Sequence, residues 1–225
     1  IHKAPRKAWR KAPTARLLGE LYGTNANGSK REILVGQRVT EEPGSHIKTK
    51  KAERIWADLV DTLPADDKNV VIAVGSFSAD PFTRAERMDV YSGRRTTVAR
   101  APLRNADFAT DNRGVVRFAF GAGIDLRDKL YYRAGDGAEW QLINDGHVSQ
   151  RSEWPIGFSA DDKIAYLRVG QDNGPDAVVA VDIASGEVTE VIGGGSIGSF
   201  SIAGPSSVFT RASLKSGNQV FTGGI

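Results

Sequence analysis

The chain has 225 residues, 40% of them hydrophobic and 25% charged, with 25 glycines and no cysteine. That length suffices to bury a core and the composition is ordinary for a globular chain. The missing cysteines exclude disulfides and thiolate chemistry, and no run approaches the roughly 20 apolar residues of a membrane span. Net charge is +3 but divided: residues 1–54 carry 13 Lys/Arg against 5 Asp/Glu, and the remainder 17 against 22.

Residues 1–16 read as a basic, irregular leader. KAPRKAWRK at positions 3–11 holds one aromatic, Trp9, and Pro5 and Pro13 interrupt it, so it offers neither a continuous helix nor a stacking platform. A solvated leader is the simpler reading, and nucleic acid the lesser one. The chain opens on Ile1 and its one methionine is Met88, which reads as a piece of a longer protein or a processed product. Compartment is therefore left open between cytoplasm and periplasm.

A strand is expected at 17–22, a turn at Asn25-Ala26-Asn27-Gly28 and a returning strand at 31–35, followed by a polar, basic stretch over 36–54. From Ile55 two patterns alternate. One is an Asp-bearing turn followed by a strand: LPADDKNVVIAV at 63–74, FATDNRGVVRFAF at 108–120 and FSADDKIAYLRV at 158–169. Its aspartates Asp66, Asp111 and Asp161 are 45 and 50 residues apart. The other is a hairpin with glycine just before the returning strand, turning at Gly28, Gly93, Gly137 and Gly186. Asp and Asn favour such turns because their side chains bond nearby backbone, and glycine takes the positive-φ position. The clearest copy runs from Trp154 to Val191, with strands expected at 164–169, 177–181 and 187–191.

Four strands per roughly 45 residues is the blade period of a β-propeller. Val70 to Val74 is apolar at every position, which suits a strand packed between two neighbouring sheets. A plain sandwich would give no reason for alternating repeats. The expected fold is all-β: a β-propeller of four-stranded antiparallel blades, incomplete in this chain. Residues 17–191 supply blades and 192–225 a further, later one.

Gly194-Gly195-Ser196-Ile197-Gly198 matches G-x-S-x-G, the nucleophile elbow of α/β-hydrolases. That motif needs a following helix and downstream Asp and His. Here Gly204-Pro205 follows, and no His, Asp or Glu comes after Ser196, so the stretch reads as an interblade linker. His2, His46 and His147 are scattered, so no metal site is expected. The acid pairs Glu41-Glu42, Asp66-Asp67 and Asp161-Asp162 fall in loops, and the last two share one repeat position, which makes them turn residues. Trp56, Trp140 and Trp154 are expected to pack blades. On residues alone the chain holds no catalytic, cofactor-binding or metal-binding residue.

Tyr91-Ser92-Gly93-Arg94-Arg95, the run from Asp111 to Ala119 (DNRGVVRFA), Lys129-Leu130-Tyr131-Tyr132-Arg133, Glu139-Trp140, Gly157-Phe158-Ser159-Ala160-Asp161, Ala165-Tyr166-Leu167 and the segment from Gly174 to Asp182 resemble, in order, the propeller of bacterial prolyl oligopeptidase-family serine peptidases. Their dipeptidyl aminopeptidase/acylaminoacyl-peptidase branch is the best match. The likeness covers about residues 17–191. It implies a C-terminal α/β-hydrolase domain with a Ser-Asp-His triad as partner, short peptides as substrates, and a propeller acting as lid and filter. No triad residue has a counterpart in this chain. The alternative is a free-standing propeller that binds a peptide or protein without catalysis. Neither reading calls for a cofactor or a membrane.

Overall fold

The computed structural model describes residues 19–29, 31–36, 53–122, 125–171, 176–202, 208–214 and 217–223. The basic leader of residues 1–16, His2, His46 and Glu41-Glu42 lie outside them. A two-stranded pair, β1 (Leu21–Gly23) and β2 (Glu32–Val35), comes first. Three four-stranded antiparallel blades follow. The first holds β3 (Ile55–Asp61), β4 (Asn69–Ser76), β5 (Phe82–Asp89) and β6 (Arg95–Arg104). The second holds β7 (Asp107–Thr110), β8 (Val116–Ala122), β9 (Asp128–Tyr132) and β10 (Gln141–Asp145). A one-turn helix, α1 (Gly146–Ser149), leads to the third: β11 (Arg151–Phe158), β12 (Ile164–Gln171), β13 (Asp176–Asp182) and β14 (Val188–Ile202). The strands β15 (Val208–Leu214) and β16 (Gly217–Gly223) continue that sheet.

The strands form where β-branched and aromatic residues alternate or run together, and they stop at the Asp and Gly turns. All four repeat glycines have positive φ: 78° at Gly28, 65° at Gly93, 76° at Gly137 and 74° at Gly186. β3 neighbours β7 and β7 neighbours β11, so the first strands of successive blades converge on one side, as the inner strands of a propeller do.

The core is divided among the seams between blades. Val71 and Ala73 of β4 pack with Leu103, Phe108 and Val116 towards the second blade. Ile72 and Val74, on the opposite face, pack with Val35 and Met88 towards β1 and β2. The all-apolar run is thus explained by two buried faces. Phe118 and Leu130 meet Phe158, Ala165 and Leu167 across the next seam, with the Phe118 and Phe158 rings 5.5 Å apart. Each such buried ring or aliphatic side chain contributes roughly 1.5–3 kcal/mol.

Two elements depart from expectation: the strand expected at 17–22 is the short Leu21–Gly23, with Gly19 and Glu20 outside it, and the last strand of the third blade is longer. The strand expected at 187–191 runs on to Ile202, and Gly194–Gly198 lies inside it as extended strand. β14 pairs with β13 as far as Gly195 opposite Asp176, then with β15 from Ser196 opposite Ser213. Glycines that looked like a link instead let one strand change partners, since they twist and bend at little steric cost.

Candidate functional site

The turns after β3, β7 and β11 and the hairpins after β5, β9 and β13 emerge at one rim. There the repeat aspartates cap their own turns. Asp66 Oδ1 accepts the N–H groups of Lys68 (3.0 Å) and Asn69 (3.1 Å), Asp111 Oδ1 those of Arg113 and Val115 (both 3.0 Å), and Asp161 Oδ1 that of Lys163 (3.2 Å). Two further aspartates, not singled out by the repeat, do the same in the hairpins. Asp89 accepts from Tyr91 and Ser92, and Asp182 from Ala184 and Ser185. Each hairpin is tied to the first turn of its own blade, Val90 N–H to Lys68 O and Ile183 N–H to Lys163 O, both at 2.8 Å. These donors favour the carboxylate form. The Lys68 N–H, then the Asn69 amide, hold the Asp66 carboxyl down to about 2. Asp89, Asp161 and Asp182 are likewise lowered, chiefly by Ser92, Ser159 and Ser185 respectively. Asp66-Asp67 and Asp161-Asp162 are turn residues, and Asp162 adds a reach across blades: its Oδ1 accepts from Asn112 and its Oδ2 lies 3.2 Å from Arg113 Nε.

The second blade breaks the pattern with two buried arginines. Counting back from the hairpin glycine, Arg133 stands where the neighbours have Asp89 and Asp182. Counting on from the turn aspartate, Arg117 stands where they have Ile72 and Leu167. Both arginines are buried. Arg117 donates from Nη1 to the fully buried Asp111 carboxylate (3.0 Å), from Nη2 to the Tyr132 hydroxyl and from Nε to Arg133 O (3.1 Å). Its guanidinium also lies 5.6 Å from the Phe158 ring of the third blade. Burial works against its charge, but the Tyr132 hydroxyl and Asp111 outweigh that and hold it above its usual value. Arg133 donates from Nε to Val116 O (2.7 Å) and from Nη2 to Val98 O of the first blade (3.3 Å) and to Asp136 Oδ1 (2.9 Å). Burial pulls Arg133 below its usual value, Asp136 opposes that, and Arg117 adds to it.

On the inner strands, Thr110 donates to Asp61 Oδ2 at 2.6 Å, joining β7 to β3. Asp58 and Asp107 stand on the same two strands. Desolvation by the surrounding protein, and then the Asp58 charge, raise the Asp107 carboxyl although the residue is exposed. Burial likewise raises Glu153 on β11.

The remaining sequence candidates are dispersed. His147 sits in α1, where Asp145 caps its N–H. Trp56 and Trp140 pack against the seam of the first two blades, and Trp154 faces Arg168 and Gly170 within the third. Among the described residues no group of three or more His, Asp or Glu side chains is arranged to hold a metal ion, and no helix is long and apolar enough to cross a membrane. Both guanidiniums of the second blade are thus taken up by carboxylates of the chain itself, Arg117 by Asp111 and Arg133 by Asp136. Sequence reasoning passed over both. The signal was present for Arg117, an arginine inside VVRFAF where the other copies are apolar.

The rim opposite the aspartate turns exposes Phe77 after β4, Phe82 at the start of β5, Leu126 before β9 and Val148 in α1, the last two more than three-quarters open, while the aspartate rim exposes Tyr91 and Val188.

No family model matches this chain, and no curated protein matches it. Solved structures do. TolB from Acinetobacter baumannii is similar with a TM-score of 0.57 and 12% identity, over 92% of this chain and 46% of that one. An oligogalacturonate lyase in complex with manganese is similar with a TM-score of 0.59 and 11% identity, over 90% of this chain and 56% of that one. A prolyl endopeptidase, from a study of inter-domain dynamics in catalysis and specificity, is similar with a TM-score of 0.55 and 10% identity, over 90% of this chain and 30% of that one. The chain therefore spans about half the length of the first two and under a third of the third. At such identities the likeness shows the fold alone, and that fold is a β-propeller of four-stranded antiparallel blades.

Proposed function

We propose that this chain is the propeller part of a serine peptidase of the prolyl oligopeptidase family, within its dipeptidyl aminopeptidase/acylaminoacyl-peptidase branch. Its role is lid and substrate filter for short peptides, over an α/β-hydrolase domain whose triad lies outside these 225 residues. The observation that carries this reading is the coincidence of a propeller fold with the ordered family-like runs at 91–95, 111–119, 129–133 and 157–161. A chain containing this segment with its natural downstream sequence is expected to cleave a chromogenic dipeptide or acyl-amino-acid substrate. An inert product without a hydrolase domain would sink the proposal.

A second reading is favoured by the exposed Phe77, Phe82, Leu126 and Val148 on one rim. Exposed apolar residues of this kind suit a propeller that binds a peptide or protein without chemistry. It predicts that the isolated chain elutes from size exclusion as a single closed species. An arc of blades with open end faces would self-associate instead.

A further inference from the structure

We infer that Arg133 is the core of an oxyanion-binding site that Asp136 fills from within the chain. The inference is independent of the peptidase reading. A guanidinium removed from water needs a counter-charge, and losing it is far more costly than losing an exposed ion pair. Arg117 has its counter-charge in Asp111, which is as buried as itself. Arg133 does not. Its side chain is 4% exposed, and the carboxylate it meets, Asp136, is 64% exposed.

The remaining polar partners of Arg133 are two backbone carbonyls, Val116 O and Val98 O, which orient the planar fork without neutralising it. The Trp140 ring stands 5.0 Å from the guanidinium carbon, and its Nε1 donates to Arg100 O at 2.8 Å, which fixes that wall in place. Asp136 itself sits on the hairpin between β9 and β10, flanked by Gly135 and Gly137, around which there is open space. The carboxylate is therefore the exposed member of the pair, on a turn with free space around its glycines. At this repeat position the other blades place an aspartate that caps its own hairpin, whereas here an arginine draws a carboxylate from its hairpin instead. A carboxylate or phosphate group entering beside Trp140 would make the charge-assisted bond that Asp136 now makes.

The test uses the full chain with inorganic phosphate and acetate as probes, followed by calorimetry and by the shift of the thermal midpoint with probe concentration. Asp136→Asn keeps the shape and removes the internal anion. It is expected to bind phosphate about tenfold or more tighter than the starting chain, as removal of a competing charge requires. Adding Arg133→Gln to that variant is expected to abolish the gain. Binding of both probes marks a general oxyanion site, and binding of phosphate alone marks a phosphate site. If Asp136→Asn gains no affinity for either probe, or if the double variant binds as well as Asp136→Asn, the proposal is overturned.

Discussion

Asp162 of the third blade caps the turn of the second, accepting the Asn112 backbone N–H at 2.9 Å and its side-chain amide at 2.8 Å. Asn112 answers by donating to Ser159 O at 2.7 Å, so each turn closes against the other. Asp162 itself has φ 59°, a backbone state Asp tolerates better than most residues. Replacing Asp162 by Ala is expected to cost about 1–2 kcal/mol and to release amide exchange at both turns together. Exchange rising at only one turn would show that the seam is held elsewhere.

The ion pair between Arg117 and Asp111 is closed to water on both sides, with side chains 7% and 0% exposed. Arg117→Ile restores the residue of the first blade but removes the buried partner of the carboxylate, leaving it two backbone N–H groups and the exposed Arg113, and is expected to destabilise by about 3 kcal/mol. Arg117→Ile combined with Asp111→Asn should recover a large part of that loss. Additive denaturation midpoints for the two changes would rule out the coupling.

Gly114 takes φ +77° in the turn of the second blade, and a Cβ there would run into the Leu63 side chain of the first. Gly114→Ala is therefore expected to cost more than the about 1–3 kcal/mol of left-handed strain alone. Leu63→Ala in the same chain should return only the collision part. Thermal melts of the two single variants and the double variant measure both.

The rim aspartates set the response to acid. With its carboxyl at about 2 against an ordinary 3.8, folded Asp66 resists protonation over the interval in which the unfolded chain takes a proton. Its contribution is present above 3.8 and is lost as pH falls towards and through about 2. Asp89, Asp161 and Asp182 act in the same direction. Urea unfolding of Asp66→Asn across that interval should show a shallower decline than the starting chain; an unchanged slope would refute the assignment.

Asp107 carries the opposite sign. Desolvation and Asp58 raise its folded value, so the folded chain holds its proton more tightly and loses stability as pH rises past the ordinary carboxylate range. Asp107→Asn is expected to raise the urea midpoint at neutral pH and to leave it unchanged in acid. A lowered neutral midpoint would mean that the carboxylate is held by partners rather than repelled.

Local chemistry made much of this legible. The hairpin glycines and the turn aspartates Asp66, Asp111 and Asp161 are short-range signals, and all of them fall where their turns need them. Asp89 and Asp182 were equally local but lay at strand ends, where alternation of apolar residues masks a capping role. Contacts across seams leave no such trace. Nothing near Asp162 in sequence announces Asn112, 50 residues away, and nothing near Gly114 announces Leu63. The buried arginines were hidden for another reason: hydropathy treats arginine as surface, whereas its planar fork can be satisfied by carbonyls, a phenol and a carboxylate inside a seam.

The 15-residue strand β14 has a consequence for how this arc can be divided. Between the first and second blades the chain crosses on Asn105 and Ala106, outside any ladder and held instead by Ala106 burial and by the Thr83 hydroxyl on Ala106 O, so the two ladders are separate pieces joined by packing. Between the third blade and the strands that follow there is no such crossing. The ladder passes from β13 to β15 without a break, so tension applied to one sheet is carried along the same backbone into the next. That junction is a crease in one fabric, and a nick made there would unravel both sides at once.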